Sequence, residues 1–520
     1  MPIDVNLLRE EKGGDLEVVR RSEKNRGRDP AVVDAAVAAD KCWRECLFKL
    51  EQLKRQLNSV NKALGEEKKN GAKGPAGGSR EAELLQEALH IRDVQLPSAA
   101  AAAAAAERQR ESLLHRIGNI LCASVPVALC ETKNAVLRTW GYPLPSAVNA
   151  VPSSLAAEGD GSPAKGGLLH HHQILARLGG VELKKGVEVA GHRGYYLKGP
   201  GFLLNMALAQ HGINFLLRRG YTPVQPPFFM RRDVMARAAE LKDFEETLYR
   251  IPHDSAAAGV HESTSRTSDG GAGGGAQDHQ QQQEDRDDMF LIATSEQPLC
   301  ALHRGQVLEE KQLPIRYAGY SSCFRKEAGA HGKDCWGIFR VHQFEKVEQF
   351  CLCAPEQSWR MHDEMLSVAE EFYQSLELPY RVVSIVSGAL NDAAAKKYDL
   401  EAWFPAYGEY RELVSCSNCT DYQSRALDIR MQRQQKAAMK SGGAAPKQLP
   451  QDPKPFVHML NGTLVATQRC MCCILENYQT ATGVKVPRAL QPYMGGVDFL
   501  PYVQAADDPA EKKQQHKREA

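Results

Sequence analysis

The sequence lacks a strong excess of charge of either sign. Lys and Arg total 65 and Asp and Glu total 64, which leaves a net charge of +1. Such a balance provides no bulk attraction for a polyanion, so any contact with nucleic acid must come from local basic patches. With 520 residues, of which 43% are hydrophobic, the chain is long enough for a large core and at least two domains.

Long apolar runs are also missing. No run approaches the ~20 residues that a membrane helix requires, so we expect no membrane partner. The opening stretch MPIDVNLLREEKGGD carries acids where a signal or transit peptide would need bases. The 14 cysteines are scattered through apolar runs, without the compact framework of a small secreted protein. The sequence therefore predicts a reduced, cytoplasmic protein.

Familiar phosphate and metal motifs are absent or incomplete. There is no G-x-x-x-x-G-K-[ST] loop, and the glycine cluster at 270–275 has no predicted strand before it and no helix after it. Cys416 and Cys419 form a C-x-x-C, but a structural zinc site needs a second such pair, so we interpret both as buried thiols. The histidines at 170–172 would need a further, distant ligand to hold a metal.

A heptad-like repeat marks the N-terminal part of the chain. Apolar residues recur at alternating steps of three and four, at Val32, Ala36, Ala39, Trp43, Cys46, Leu50, Leu53, Leu57, Val60 and Leu64. We expect Gly65 and the stretch NGAKGPAGGS to end this helix, and a second helix to run from Arg80 towards Ile120. The two helices would form an antiparallel coiled-coil arm of ~60 Å, at ~1.5 Å per residue.

The second helix of this arm has a weaker pattern. Pro97 is expected to break or kink it, because proline lacks an N–H and clashes with the preceding turn. Ser98 could then cap a restarted helix. The alanine run that follows favours helix but offers no packing stripe.

The remaining composition divides the chain into three parts. Residues 1–125 form the predicted coiled-coil domain and residues 126–503 a mixed α+β domain, in which short apolar runs alternate with prolines and glycines. Residues 253–288 are rich in Ala, Gly, Ser and Gln, and we interpret them as a disordered insertion. Residues 504–520 form a basic tail, for which we expect a flexible terminus rather than an RNA-steering role.

The stretch FRKEAGAHG sets Arg325 and Glu327 two residues apart, on one face if this is a strand. Taken alone, an ion pair would explain the two charges. The next strand-like run is IFRVHQFEKVEQF, and strict alternation places Arg340, His342, Phe344, Lys346 and Glu348 on one face, with Phe339, Val341, Gln343 and Glu345 on the other. The first face is too polar for a plain core, which indicates a ligand site.

Phe324–Arg325–Lys326–Glu327 resembles motif 2 of class II aminoacyl-tRNA synthetases, and RVHQFEKVEQF is similar to the seryl-tRNA synthetases in particular. Four further segments resemble, in order, motif 1, the T-x-E serine loop, the E-[LIV]-x-S segment and motif 3: GYTPVQPP at 220–227, TSE at 294–296, RELVSCSNCTDYQSR at 411–425 and LNGTLVATQRCMCCILENYQ at 460–479. The opening residues resemble cytosolic eukaryotic members.

This resemblance implies a fold and an activity. The fold would be an antiparallel sheet flanked by helices, with the coiled-coil arm at the N-terminus, and motif 1 would build a homodimer interface. The enzyme would activate L-serine with ATP and transfer the seryl group to tRNA(Ser), and we expect tRNA(Sec) as a further substrate. The arm would grip the tRNA through its backbone and shape, which requires no base code.

The resemblance also implies residue roles. Arg325 and Arg469 would be catalytic, because a planar guanidinium can bridge carboxylate and phosphate oxygens. The serine-binding set would be Thr294, Glu296, Arg325, Glu348, Asn461 and Thr463. The ATP-binding set would be Arg325, Lys326, Glu327, Val341, His342, Gln343, Phe344, Glu412, Leu413, Val414, Ser415 and Arg469. Glu412 and Ser415 would also hold Mg²⁺, which prefers oxygen ligands.

Other interpretations remain for some of these residues and for the whole chain. Thr294 with Gln297 has the spacing of a capping box, and Asn461–Gly462 is a turn signal. The chain could be a regulatory paralogue, an amino acid ligase that charges a carrier protein, or a coiled-coil scaffold that only binds nucleotide. The set of charged motif residues argues against the first and third, and the long arm argues against the second.

Overall fold

The computed structural model describes residues 3–70, 78–141, 167–238, 246–252, 288–327, 336–433 and 454–503. It divides into two compact units, Met1–Ile120 and Leu121–Ala520. The predicted tail at 504–520, and the predicted insertion except for Asp288, lie outside the described residues. Within the described residues, no helix is both long and apolar enough to cross a membrane.

The first unit is helical. Its helices are α1 (Leu16–Asn25), α2 (Ala31–Asn70), α3 (Gly78–His90) and α4 (Leu96–Leu114). All ten residues of the predicted heptad seam in α2 are buried or half-buried, which confirms that interpretation. Val60 packs near Ala88 and Ile91, whereas Trp43 lies under the guanidinium of Arg110 at 3.6 Å. Later residues of α2 thus meet earlier residues of the second helical segment, and the pairing is antiparallel.

Three details of the predicted arm were wrong. Helix α2 continues through Gly65 to Asn70, because the cost of one glycine, ~1 kcal/mol relative to alanine, is small beside the packing of a long helix. Pro97 does not break the second helix: a π-helical turn at Ile91–Gln95 leads directly into α4, and Pro97 occupies the first turn, where proline is tolerated. Ser98 is not the N-cap, since that position belongs to Gln95.

The second unit combines strands and shorter helices. The helices are α5 (His171–Arg177), α6 (Leu183–Ala190), α7 (Gly199–Leu217), α8 (Arg232–Ala238), α9 (Glu296–Ala301), α10 (Ser358–Ser375), α11 (Tyr422–Leu427) and α12 (Thr467–Asn477). The strands up to the motif 2 segment are β1 (Ala135–Trp140), β2 (Val181–Glu182), β3 (Tyr196–Leu197), β4 (Thr222–Val224), β5 (Phe229–Arg231), β6 (Arg250–Ile251), β7 (Met289–Leu291), β8 (Val307–Glu309) and β9 (Ile315–Phe324). The later strands are β10 (Gln343–Cys353), β11 (Tyr380–Ser384), β12 (Lys396–Phe404), β13 (Glu409–Asn418), β14 (Arg430–Gln432), β15 (His458–Ala466), β16 (Gly483–Lys485) and β17 (Phe499–Pro501).

One eight-stranded sheet organises the described part of this unit, in the order β1-β11-β12-β13-β15-β10-β9-β4. All neighbours pair antiparallel except β4 and β9, which are parallel. Helices α5, α7, α10 and α12 contribute buried apolar residues to the main core together with the central strands. The predicted antiparallel sheet flanked by helices is confirmed, and its central strands carry the predicted motif residues.

Strict alternation across the motif 2 region was wrong. Strand β9 ends at Phe324 and β10 begins only at Gln343, so Arg325 and Glu327 follow one strand and residues 339–342 precede the other. Glu327 has a φ of 49°, a left-handed conformation outside the β region that regular strands occupy. Its carboxylate accepts from Arg340 Nη1 at 3.0 Å. The predicted ion pair therefore joins Glu327 to Arg340 rather than to Arg325.

Candidate active site

A cavity of about 370 Å³ receives two arginines from distant segments, Arg325 after β9 and Arg469 on α12. The Arg325 Nε donates to the carbonyl of Ala293 at 3.3 Å, and its guanidinium carbon lies 5.2 Å from the centre of the Phe344 ring. The guanidinium carbon of Arg469 lies 5.0 Å from the Phe339 ring centre. Each cation is thus held beside an aromatic ring at the wall of one cavity.

Glu412 connects these cations electrostatically. Its Oε2 lies 3.4 Å from Arg469 Nη1, and 48% of its side chain remains accessible from the cavity. Enclosure by protein would raise the pKa of Glu412, but the charges of Arg469, Lys397 and Arg325 outweigh it and lower the pKa. The carboxylate is therefore ionised at neutral pH, and it faces a cluster of cations suited to bind phosphates.

A smaller polar end of the same cavity contains Thr294, Glu296, Glu348, Asn461 and Thr463. Glu296 Oε1 accepts from Asn461 Nδ2 at 2.9 Å and from Gln423 Nε2 at 2.7 Å. Thr463 on β15 lies directly opposite Glu348 on β10. The five predicted serine-binding residues other than Arg325 are thus brought together from three segments of the chain.

Glu348 is the most heavily hydrogen-bonded carboxylate of this end. Its Oε2 accepts from Thr294 Oγ1 at 2.7 Å, Ser295 Oγ at 2.7 Å and the Glu296 backbone N–H at 3.0 Å. Lys346 Nζ donates to its Oε1 at 2.7 Å. Burial would raise the pKa of Glu348, but the charge of Lys346 and these hydrogen bonds lower it below the ordinary glutamate value.

Most of the predicted ATP residues line the cavity, and four do not. The lining members are Arg325, Glu327, Val341, Phe344, Glu412, Leu413, Ser415 and Arg469. Val414 is fully buried in the core because it points to the opposite face of β13 from Ser415. Leu413 reaches the cavity beside Glu412 because the register of β12 and β13 shifts at this point, as in a β-bulge.

Lys326, His342 and Gln343 are the other three predicted residues outside this cavity. The Lys326 backbone N–H donates to the carbonyl of Thr247 at 2.9 Å. His342 Nδ1 lies 3.0 Å from the carbonyl oxygen of Arg325, which ties together the two ends of the motif 2 hairpin. His342 and Gln343 line a second cavity of about 460 Å³. Of these three residues, only His342 has a described side-chain contact that joins the two ends of the hairpin.

Sequence reasoning missed six residues that line the cavity, namely Phe339, Asn391, Lys397, Ser417, Ala466 and Gln468. Arg340 and Lys346 also line it, and both belong to the face for which strict alternation predicted a ligand site, although no role was assigned to either. The period of two from Ser415 could have found Ser417. No local pattern marks Asn391 or Lys397. Lys397 reaches the cavity through the pairing of β12 with β13, and Asn391 lies in the segment that precedes β12.

The local alternatives for the serine-binding residues were also wrong. The N-cap of α9 is Ser295, and Gln297 Oε1 accepts from the Ala293 backbone N–H, so the predicted capping box does not form. Asn461 lies inside β15 and not in a turn. Cys416 and Cys419 are buried free thiols, as predicted. In the part of the chain that the structure describes, no cluster of three or more His, Cys, Asp or Glu could hold a metal.

Comparison with known proteins agrees with this geometry. A model of the tRNA synthetase class II core domain (G, H, P, S and T) matches residues 279–478, and one of the seryl-tRNA synthetase N-terminal domain matches residues 3–121. A Helianthus annuus protein named serine--tRNA ligase is 47% identical over 506 residues, which cover 96% of this chain and 99% of that protein. This chain belongs to the seryl-tRNA synthetase family.

Further relatives extend this family assignment to solved structures. A Schizosaccharomyces pombe protein named cytoplasmic serine--tRNA ligase is 44% identical, over 96% of each chain. The cytoplasmic serine-tRNA ligase of Naegleria fowleri, solved with AMP, is 41% identical with a TM-score of 0.73, over 96% of this chain and 99% of that chain. The Pyrococcus horikoshii seryl-tRNA synthetase, solved with ATP, is 32% identical with a TM-score of 0.73, over 96% of this chain and 100% of that chain.

Proposed function

We propose that this chain is a cytoplasmic serine–tRNA ligase. It activates L-serine with ATP to form seryl-adenylate and diphosphate, and then transfers the seryl group to tRNA(Ser). The observation that carries this proposal is the convergence of Arg325 and Arg469 on one cavity, whose other end holds five polar groups around a space for a small amino acid. The names of the full-length relatives support the same activity.

The activation step needs positioning more than proton transfer. The carboxylate of serine is ionised at neutral pH and can attack the α-phosphorus of ATP in line, without a general base. Arg325 would hold the α-phosphate and the serine carboxylate together, and Arg469 would bind the γ-phosphate. Phe344 would stack on adenine, while Glu327 and Val341 line the nucleotide end of the cavity. The two arginines would thus stabilise charge that develops in the transition state.

The residues near Glu412 fit a magnesium ion. Glu412 and Ser415 supply a carboxylate and a hydroxyl oxygen to the cavity wall. Asp399 lies opposite Ser415 on β12, and its buried Oδ1 has no hydrogen-bond partner within the described residues. One or two protein ligands are enough for Mg²⁺, because the ion usually keeps several waters and is also bound by the phosphates of its substrate. When bound, the ion would neutralise phosphate charge, while Glu412 and Ser415 would fix its place.

The N-terminal coiled coil would bind the tRNA. The solvent-exposed side of α2 carries Lys49, Lys54, Arg55 and Lys62, which provide local positive charge although the whole chain is nearly neutral. Such side chains suit contacts with phosphates and with the shape of an RNA helix. The seryl group would then pass from the adenylate to a terminal ribose hydroxyl. tRNA(Sec) would be accepted if the arm recognises shape alone.

We also propose two functional domains, a tRNA-binding domain at 1–125 and a catalytic domain at 126–503.

We further propose that the chain forms a homodimer. Helix α7 leads into the motif 1 strand β4 and exposes Phe202, Leu203 and Leu217, three large apolar side chains. Burial of such a surface against a second copy would remove it from water. Light scattering on the purified chain should give twice the monomer mass of 57.4 kDa, and a monomer would contradict the dimer.

Pyrophosphate exchange against a panel of amino acids tests the proposed activity. We expect exchange that depends on serine and ATP, followed by charging of tRNA(Ser) in a second assay. Exchange with another amino acid would redirect the substrate, and charging of a carrier protein instead of tRNA would favour the carrier ligase. Binding of ATP without exchange would favour a scaffold or a regulatory paralogue.

A further inference from the structure

His171 and Glu476 form a buried pair that the proposed mechanism does not use. Both side chains have 0% exposure, and the imidazole Nδ1 lies 3.5 Å from the carboxylate Oε1. The same oxygen accepts from the backbone N–H of His171 at 3.2 Å, and Oε2 accepts from that of Ala406 at 3.2 Å. Because His171 is the first residue of α5, its N–H has no partner within that helix. Glu476 therefore anchors the start of α5.

The other ring nitrogen of His171 faces the motif 2 region. Its Nε2 lies 3.2 Å from the carbonyl oxygen of Trp336, and since a carbonyl can only accept, Nε2 is the donor. The next residue, Gly337, has a φ of 59°, and a Cβ added to it would lie 2.7 Å from the same Nε2. The imidazole thus fixes residues 336 and 337 by one hydrogen bond and by close packing.

Residues 336–339, the return segment of motif 2, carry this constraint to the cavity. Phe339 lines the cavity, and its carbonyl oxygen accepts from Arg469 Nε at 3.4 Å. The guanidinium carbons of Arg469 and Arg411 lie 5.0 Å and 4.1 Å from the Phe339 ring centre. The His171 ring lies beside the same phenyl ring, with 6.3 Å between the two centres. The return segment thus determines where the guanidinium of Arg469 rests.

These contacts form a closed path, because helix α12 carries both of its ends. Arg469 and Glu476 are seven residues apart on this helix, about two turns, so they project from nearly the same side. The path runs from Glu476 through His171 to the return segment, and from there back to Arg469. Removal of the imidazole would open this path midway and release the return segment.

We propose that His171 is a positioning residue that holds Arg469 in place for the γ-phosphate of ATP. This inference rests on the proposed function, in which Arg469 binds that phosphate. His171 is buried behind Phe339 and lies outside the cavity lining, so it acts only through the return segment. Displacement of a guanidinium by about 1 Å weakens its bonds to a phosphate. Loss of His171 should therefore weaken the binding of a nucleotide that has a γ-phosphate and spare one that lacks it.

Equilibrium dialysis with ATP and with ADP, both with Mg²⁺, tests this inference on the His171→Leu variant. Leucine keeps much of the volume and removes the donor to Trp336. We expect the Kd of ATP to rise about tenfold, the lower end of the range for a hydrogen bond to a charged group, and that of ADP to stay within about twofold. In pyrophosphate exchange the KM for ATP should rise by the same factor, while the KM for serine should stay within about twofold.

Further variants separate the hydrogen bond from packing. His171→Gln places an amide donor near the position of Nε2 and should restore most of the affinity for ATP. In the Arg469→Ala background, His171→Leu should cause no further loss, because both residues act through one contact. His211→Leu is the matched control: His211 is also buried, and its Nε2 lies 3.1 Å from Ser375 Oγ. This control should leave the preference for ATP over ADP unchanged.

Equal losses of ATP and ADP affinity in His171→Leu, or an unchanged ATP affinity, would overturn the positioning role. A further tenfold loss in the Arg469→Ala background would do the same. Should the leucine variant fail to fold, His171→Asn, whose amide is too short to reach Trp336, takes its place beside His171→Gln.

The unmodified chain distinguishes a failure of this inference from a failure of the proposed function. Equal affinities of the unmodified chain for ATP and ADP would refute the γ-phosphate role of Arg469, and the positioning role with it. Absence of serine-dependent exchange, with the preference for ATP intact, would refute the proposed activity, and the two affinities would still decide the positioning role.

Discussion

Asp40 in the first unit and Glu348 in the second are both buried carboxylates held by cations, yet their surroundings differ. Asp40 lies near three arginines, Arg9 at 2.7 Å, Arg44 at 3.1 Å and Arg110 at 3.8 Å. Glu348 has one lysine and borders a cavity. The same kind of buried ion pair thus connects helices in one unit and lies at the wall of a cavity in the other.

The apolar clusters of the two units differ as well. In the first unit, the cluster of Val60, Ala88 and Ile91 between the helices of the coiled coil is small. The second unit has a continuous core of aromatic and aliphatic residues behind the sheet. The helices near Val60 therefore depend on few seam contacts, whereas the sheet that carries the cavity is packed against a large core. Substitutions in the first unit should therefore change the stability of its helices, whereas substitutions at the cavity should change serine activation.

The largest effect is expected at Arg325. Arg325→Ala removes one of the two cations of the cavity, and serine-dependent pyrophosphate exchange should fall at least several hundredfold, since one well-placed stabilising donor contributes about 3–4 kcal/mol to the barrier. The arm should be untouched, so tRNA binding measured by filter retention should persist. Arg231→Ala, which removes an exposed arginine paired with Asp233 at 3.0 Å, is the control. Normal exchange by Arg325→Ala would refute its catalytic role.

Asp40→Asn should have the opposite effect on the two assays, tRNA charging and serine activation. It leaves three arginines without their shared carboxylate, and breaking a buried pair in this way costs about 3 kcal/mol. We expect faster hydrogen exchange of the α2 amides and weaker charging of tRNA, with serine activation unchanged. Asp34→Asn, at an exposed carboxylate of the same helix, should have little effect. Equal losses of activation and charging would show that the two units are not separable.

Acid should act on the arm through the same residue. Burial would raise the pKa of Asp40, but the hydrogen bond from Arg9 and the charges of Arg9, Arg44 and Arg110 lower it. A carboxylate with a lowered pKa stabilises the fold above its unfolded pKa of about 3.9, and this contribution is lost as pH falls through the folded value. Protection of α2 should therefore decline below about pH 4 in the unmodified chain and be flatter in Asp40→Asn.

Val60→Ala is a milder substitution that tests how much the small buried cluster contributes to the stability of the arm. Removal of two methyl groups from a buried seam position should lower the free energy of unfolding of the arm by about 1–2 kcal/mol. Urea denaturation followed by hydrogen exchange of α2 measures this change. Ser59→Ala, at the exposed neighbouring position, should leave it unaltered. A larger effect at Ser59 than at Val60 would contradict the observed orientation of the seam.

The smallest effect is expected from removal of residues 255–285. Their composition predicts no packed core, so both serine activation and tRNA charging should stay within about twofold of the full chain. The two assays, run side by side on the deletion variant, check this expectation. A large loss in one assay only would assign the segment to the corresponding step.

The sequence was most informative where one local rule decides the structure. The seam of α2 follows from its period of 3.5 residues. The predictions at Gly65 and Pro97 were wrong because propensity rules treat single residues and leave out the packing of the whole helix. The resemblance of ordered motifs named the family and most of the residues that line the cavity. Val414 was misplaced for a reason that the period of two would have revealed.

By itself, then, the sequence determined the helical arm, the sheet-based second domain and the chemistry available to the family. Only the tertiary structure decided which groups share a cavity. Arg325 and Arg469 are separated by more than a hundred residues, and Lys346 and Lys397 join them only because β10, β12, β13 and β15 are neighbours in one sheet. Local periodicity specifies what a segment can form, whereas the long-range pairing of strands specifies which side chains meet.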